Sequence, residues 1–166
     1  MTSTQIHHDK IMSIEYITES DLLKFPNNID AIGHCCNCQH IFGGGIALVI
    51  KNQFPKAYEA DCKTDKGDGK LGQVSVAKVE LDGRYNKYIF NIYGQASPST
   101  SKRAVNYEAI ASGLELFIKT ASMLGWSIGF PKFMGSALAG GDWEIILAMI
   151  ETYGKKYGVN IKIVSM

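Results

Sequence analysis

The sequence predicts an α/β fold in which a largely parallel sheet is covered by helices on both faces. Short apolar or β-branched segments alternate with amphipathic segments along nearly all 166 residues, and this alternation is typical of α/β proteins. The segment Asp30–Cys36 is apolar at successive positions, as in a central strand that is covered on both sides. No repeat or break in composition divides the chain, so we expect one domain over residues 13–166, preceded by a flexible segment over residues 1–12.

The first half of the chain alternates strands with short helices and ends in a hairpin. Alternating apolar residues predict the strands, and Pro55 is well placed in the first turn of a helix. Asp82-Gly83 is a typical hairpin turn. The predicted elements are strands over 13–18, 30–36, 73–81 and 87–93, a short helical turn after residue 19, and helices over 46–54 and from residue 55.

The second half carries the longest helical pattern. Apolar residues recur at steps of three and four between Arg103 and Leu124, which predicts an amphipathic helix that Gly125 would end. A strand is expected over 126–130, stopped by Pro131. Asp142 is a suitable N-cap for a helix over 143–157, and a last strand is expected over 160–164.

Composition and charge exclude several classes of function. The formal net charge is +1, with scattered Lys and Arg, so the sequence gives no basic stripe for long nucleic acid. We find no apolar run of transmembrane length and no hydrophobic signal core near the N-terminus. The four cysteines are too few for a secreted disulfide scaffold. We therefore expect a monomer in the cytoplasm or nucleocytoplasm, without membrane association or secretion.

Two glycine-rich loops each follow a predicted strand and precede a predicted helix. They are Gly43–Gly45 and Gly135–Gly141. Glycines allow close approach to an anion, and the free N–H groups at a helix start point toward it. Because ligands bind at the carboxyl ends of strands in such sheets, two neighbouring loops can enclose one pyrophosphate. The P-loop and dinucleotide-binding fingerprints are both absent from the sequence.

Three blocks around the first loop and one in the second carry a resemblance to a known family. They are His34-Cys35-Cys36-Asn37-Cys38, Phe42-Gly43-Gly44-Gly45-Ile46-Ala47, Phe54-Pro55-Lys56-Ala57 and the Gly-Ser-Ala-Leu-Ala-Gly-Gly of 135–141. Together they resemble macro domains, in particular the small ADP-ribose-1''-phosphate phosphatase branch. The resemblance implies a three-layer α/β/α sandwich with a mixed, largely parallel sheet that binds ADP-ribose at the sheet edge.

The resemblance also implies roles for individual residues. It makes His34, Asn37 and Asp142 the catalytic candidates, with Asn37 beside the distal ribose and Asp21 at the adenine amino group. The implied ligand-binding residues are Asp21, Leu22, Gly43, Gly44, Gly45, Ile46, Ser136, Ala137, Leu138, Ala139, Gly140 and Gly141. The implied partner is ADP-ribose or its 1''-phosphate, with no metal and no cofactor.

The sequence departs from the family pattern at informative positions. Ala139 stands where a related branch, which removes ADP-ribose esters from proteins, has an aspartate. The usual Asn-Ala-Ala-Asn element is replaced by His34-Cys35-Cys36-Asn37. The activity expected is removal of the phosphate from ADP-ribose 1''-phosphate. A non-catalytic ADP-ribose reader and a hydrolase that frees ADP-ribose from modified macromolecules are the alternatives.

Simpler explanations remain open for several of these residues. His34 could be a buried core histidine, and Asp142 could act only as a helix cap. The cysteines lack paired C-x₂-C spacing for zinc and lack the arginine of a phosphate-binding C-x₅-R loop. We therefore expect them to be small buried apolar residues. Phe133 could stack on a ligand or serve only in packing.

Overall fold

A single mixed sheet organises the part of the chain that the computed structural model describes, residues 14–98, 105–135 and 140–166. The expected flexible segment 1–12 lies outside these residues. The strands are β1 (Ile14–Ile17), β2 (Ala31–Asn37), β3 (Val74–Leu81), β4 (Arg84–Gln95), β5 (Ile128–Pro131) and β6 (Ile161–Val164). Their order across the sheet is β1-β6-β5-β2-β4-β3. Every neighbouring pair is parallel except β3 and β4, which confirms a mixed, largely parallel sheet.

Helices cover both faces of this sheet. They are α1 (Gly45–Gln53), α2 (Pro55–Cys62), α3 (Tyr107–Leu124) and α4 (Trp143–Tyr157), with 3-10 turns at Leu22–Lys24 and Asp68–Lys70. One buried apolar cluster joins α3 and α4 to the sheet, and a second joins α1, α2 and the first 3-10 turn to it. The three-layer α/β/α architecture is therefore confirmed. None of the described helices is long and apolar enough to cross a membrane.

The ends of the helices follow the capping residues of the sequence. Asp142 accepts a hydrogen bond from the backbone N–H of Glu144 at 2.9 Å, and Gly125 ends α3 with a φ of 70°. Both expected caps are confirmed. The long helix begins later than the apolar pattern suggested, because Asn106 caps it by accepting from the N–H of Ala109 at 3.0 Å.

The hairpin strand β4 extends beyond its apolar segment at both ends. Asp82 and Gly83 turn the chain with φ values of 53° and 82°, and Leu81 pairs with Arg84 directly after the turn. Pairing with β3 therefore extends β4 over polar residues that the apolar pattern did not assign to a strand. At the other end β4 reaches Gln95, which lies beside Asn37 of β2.

The close packing of α3 on β2 depends on Gly33. A Cβ at this position would lie 2.6 Å and 2.9 Å from atoms of the Phe117 ring and 3.0 Å from the Phe130 ring. Both rings are fully buried. We expect Gly33→Ala to lower the free energy of unfolding by about 2 kcal/mol through overpacking, measured by urea denaturation. The control Gly69→Ala, where a Cβ meets nothing within 4 Å, is expected to leave stability unchanged; equal losses in both variants would contradict the explanation.

Candidate functional site

A cavity of about 500 Å³ opens where β2, β4 and β5 end. This volume suits a small-molecule ligand, and the place agrees with the general position of ligands in parallel sheets. The lining residues are Cys35, Cys36, Asn37, Ile41, Phe42, Gly43, Gly44, Gly45, Ile46, Ala47, Gln95, Pro98, Pro131, Lys132, Phe133, Met134 and Gly135. The first glycine loop and Gly135, at the start of the second, therefore lie on one cavity.

The first glycine loop places the start of a helix at the cavity. Gly45 is the first residue of α1 and has a φ of 56°, a conformation that glycine adopts at little cost. Gly43, Gly44 and Ile46 lie on the same wall. The first backbone N–H groups of a helix have no partner within that helix and carry partial positive charge. The loop can therefore bind an anion such as a diphosphate.

The second glycine loop is described only at its two ends. Gly135 lines the cavity, and the N–H of Gly141 donates to its carbonyl at 3.0 Å. Gly140 has a φ of 74° and, like Gly141, is not among the lining residues. The expected contacts of Ser136, Ala137, Leu138 and Ala139 lie outside the described residues.

Asn37 lies on the cavity wall and shapes the turn that leads into the first glycine loop. Its Nδ2 donates to the carbonyl of Ile41 at 2.7 Å, and its Oδ1 accepts from the N–H of Gln39 at 2.9 Å. A side-chain amide carries two N–H donors, so Asn37 can keep this turn and donate once more. It is thus placed to orient a ligand.

The structure places His34 beneath the cavity instead of on its wall. Its side chain is fully buried, and Nε2 lies 2.7 Å from Oδ1 of Asn91. The ring also packs edge-on against Phe42, which does line the cavity. Burial lowers the pKa of His34 to about 4, although the hydrogen bond with Asn91 acts in the opposite direction. His34 is therefore neutral near pH 7, and the geometry gives it no direct contact with a ligand.

Three other predicted site residues also lie off the cavity wall. Asp21 caps the first 3-10 turn by accepting from the N–H of Leu23 at 2.9 Å, and Leu22 is buried in the core. Asp142 is exposed at the start of α4, and its backbone N–H donates to the hydroxyl of Tyr107 at 2.9 Å. All three make local contacts within the protein. The cavity therefore brings together Asn37 and the first glycine loop, but not Asp21, Leu22 or Asp142.

The cavity also contains residues that sequence reasoning did not identify. Lys132 supplies the only charged side chain among the lining residues of the described chain. Its Nζ lies 5.0 Å from the centre of the Phe133 ring, which is 51% exposed. Gln95 ends β4 and donates from Nε2 to the carbonyl of Ser97 at 2.8 Å. Their positions just at or after strand ends were the available signal.

The cysteines at the cavity are not reactive thiolates. Burial raises the pKa of Cys35 to about 12 and raises the pKa of Cys36 well above its ordinary value. A covalent phosphocysteine intermediate is disfavoured, because the thiolate is the nucleophilic form. Cys36 and Cys38 are buried, in agreement with the expected role as small apolar residues, whereas Cys35 is half-buried and Cys62 is exposed, so the expectation is wrong for Cys62. In the three described ranges, no group of three or more His, Cys, Asp or Glu side chains is arranged to hold a metal ion.

Comparison with known proteins shows which family this chain resembles. The sequence model described as Macro domain matches residues 34–150. A curated protein of Enterobacteria phage T4, named only as an uncharacterized 17.5 kDa protein, is 32% identical over 90% of this chain and 96% of its own length. The ADP-ribose 1''-phosphate phosphatase of Scheffersomyces stipitis is 27% identical over 89% of this chain and 99% of its own length.

Solved structures share the fold. The macrodomain of Mycobacterium tuberculosis DarG matches with a TM-score of 0.72 and 22% identity, covering 92% of this chain and 97% of that chain. The Thermosipho africanus DarTG structure in complex with ADP-ribose matches with a TM-score of 0.69 and 18% identity, covering 92% of this chain and 42% of that chain. At these identities the likeness is one of architecture.

Proposed function

This chain belongs to the macro domain family, and from that premise we propose that it is a phosphatase that converts ADP-ribose 1''-phosphate to ADP-ribose and inorganic phosphate. Macro domains bind ADP-ribose or hydrolyse its derivatives. A relative that spans almost the whole chain carries the name of this phosphatase. The name supports the proposal, and the chemistry of the cavity supports it independently.

The observation that carries the proposal is the glycine loop at the start of α1. Gly43, Gly44 and Gly45 all lie on the wall of the cavity, where backbone N–H groups and the helix dipole favour an anion. A diphosphate held there leaves the two ends of the ligand to extend along the edge of the sheet. Asn37 would then orient the distal ribose, and Lys132 would add positive charge to the cavity.

These residues can contribute to hydrolysis by orienting the ligand and by stabilising the charge that develops on it. A ligand fixed through its diphosphate presents the distal phosphate in one geometry, which lowers the entropic cost of reaction. Backbone N–H groups and the Asn37 amide can stabilise charge that develops as phosphate departs. We infer that His34 acts from beneath the cavity by supporting this arrangement.

Phosphorus NMR of the purified protein with ADP-ribose 1''-phosphate tests the proposal. The monoester and the two pyrophosphate signals are separate in one spectrum. We expect loss of the monoester signal, growth of inorganic phosphate and an intact pyrophosphate. Broadened pyrophosphate signals with a persistent monoester would contradict phosphatase activity and favour a reader, or a hydrolase that acts on ADP-ribosylated macromolecules. Unchanged signals would contradict ligand binding as well.

Lys132 offers a separate test of how charge contributes to binding. We expect Lys132→Met to weaken ADP-ribose binding about fivefold at low salt, a size typical of a solvent-exposed ion pair. The loss should shrink as salt screens the interaction. Calorimetric titrations at two salt concentrations measure both effects. The control Lys119→Met removes an exposed charge from α3, outside the cavity lining; an equal loss there would show a general charge effect.

A further inference from the structure

A cluster of buried and half-buried polar side chains lies beneath the cavity, between the sheet and α2. We call it the buried polar chain; its members are His34, Asn91, Ser75, Tyr93, Asp61, Lys70 and Thr64. The contacts are His34 Nε2 to Asn91 Oδ1 at 2.7 Å, Asn91 Nδ2 to Ser75 Oγ at 3.0 Å, Ser75 Oγ to Tyr93 Oη at 2.7 Å and Tyr93 Oη to Asp61 Oδ1 at 2.7 Å.

The hydrogen bonds of this chain run in one direction. Asn91 Nδ2 also donates to the carbonyl of Ala57 at 3.0 Å, which fixes the amide with Oδ1 facing His34. Nε2 of His34 must then carry the hydrogen, because Oδ1 can only accept. Tyr93 donates to Asp61, so Ser75 donates to Tyr93. The carboxylate of Asp61 therefore orders the hydroxyls of Tyr93 and Ser75, whereas the carbonyl of Ala57 fixes Asn91 and with it the tautomer of His34.

The ring of His34 lies against the thiol of Cys36, a lining residue of the cavity. Sγ of Cys36 is 3.5 Å from Nε2 and 3.6 Å from Nδ1, so the thiol contacts the ring as a whole and not Nδ1 alone. The buried polar chain therefore begins at the cavity and ends at Asp61, which is fully buried in α2.

A second branch from Asp61 reaches the rim of the cavity. Nζ of Lys70 lies 3.2 Å from Asp61 Oδ1 and donates to Thr64 Oγ1 at 2.7 Å. The carbonyl of Thr64 lies 2.9 Å from Nε2 of His40, a residue of the loop between β2 and α1 that has a φ of 60°. The N–H of Gly67 also donates to the carbonyl of Cys38 in that loop at 2.8 Å.

Asp61 is an unusual choice if its role is only to stabilise the core. Both of its donors bind Oδ1, and the buried Oδ2 has no hydrogen-bond partner among the described residues. An unsatisfied buried oxygen destabilises the fold, and such exceptions call for an explanation beyond packing. The carboxylate does set the direction of one branch and holds Lys70 for the other.

We propose that Asp61 is a positioning residue of the ligand cavity, which holds the loop at the rim through Lys70 and Thr64. The proposal rests on the proposed function only in taking ADP-ribose as the ligand. Asp61→Asn removes the negative charge that holds Lys70, so Lys70 and Thr64 lose their fixed position beneath the loop.

The test combines imidazole ¹⁵N NMR with ADP-ribose calorimetry. We expect the His34 signal to show the neutral Nε2–H tautomer in the wild type and in Asp61→Asn, because the Ala57 carbonyl holds Asn91 in both, and this signal reports that the core beneath the cavity is intact. In Asp61→Asn we expect about tenfold weaker ADP-ribose binding, the scale of a small misplacement in a site. The matched control is Glu59→Gln, the same chemical change at an exposed position of α2, which should alter neither measurement.

Thr64 keeps the proposal testable if Asp61→Asn does not fold. Thr64→Val removes the hydroxyl bonded to Lys70 and should weaken binding about threefold, while Thr64→Ser, which keeps the hydroxyl, should restore it. A merely structural cluster would lower thermal stability without moving the affinity of the folded protein, and that result would overturn the proposal. Wild-type protein that binds no ADP-ribose overturns the proposed function instead, before any variant is compared.

Discussion

Replacing Gly45 with valine is expected to weaken ADP-ribose binding by about a hundredfold or more, because the change acts on both backbone and cavity. Gly45 has a φ of 56° and lines the cavity at the first turn of α1. A β-branched residue is a strained outlier in this region of backbone space. Relief of the strain would rotate the N–H groups away from the anion, and the side chain would occupy ligand volume. Isothermal titration with ADP-ribose measures the loss.

Gly83→Val separates strain from function. Gly83 has a φ of 82° in the β3–β4 turn, and a Cβ there meets nothing within 4 Å. We expect this variant to lose stability through the same backbone strain and to bind ADP-ribose normally. Normal binding by Gly45→Val would show that the first glycine loop does not hold the ligand, and would contradict the proposed function at its main support.

The order and type of the main elements could be predicted because local patterns and the fold agree. Asp142, Gly125 and the Asp82-Gly83 turn act where the sequence indicated. The ends of β4 could not be predicted in this way. Its first residues are polar and pair with β3, and such cross-strand pairing is a tertiary effect that a pattern of apolar residues does not encode.

The candidate site, like the fold, could be predicted from the sequence only in part. The glycines and Asn37 could be identified because the residue types of a loop, and its position between a strand and a helix, are local features of the sequence. Lys132 and Gln95 reach the cavity from β5 and β4, so only the order of strands in the sheet shows that they share it. The sequence does not single out Asp61, because its burial depends on Lys70, which follows in a separate turn.

His34 provides the other large expected effect, which is a change of stability with pH. Its pKa is about 4 in the folded protein against an ordinary 6.5, because burial disfavours the charged ring. Between these values the unfolded chain binds a proton that the folded protein does not. The free energy of unfolding should therefore be highest above pH 6.5 and fall as pH decreases toward 4, by about 3 kcal/mol from this group alone. Urea denaturation at several pH values measures the change.

Carboxylates titrate in part of the same range, so the contribution of His34 is best obtained as a difference between proteins. His34→Gln keeps an N–H donor for Asn91 and does not titrate. Its deficit in stability relative to wild type should shrink by about 3 kcal/mol between pH 7 and pH 4. A constant deficit for His34→Gln would mean that the folded protein accepts this proton as readily as the unfolded chain. The ring would then titrate in place and gain its proton on Nδ1, while Nε2 continues to donate to Asn91.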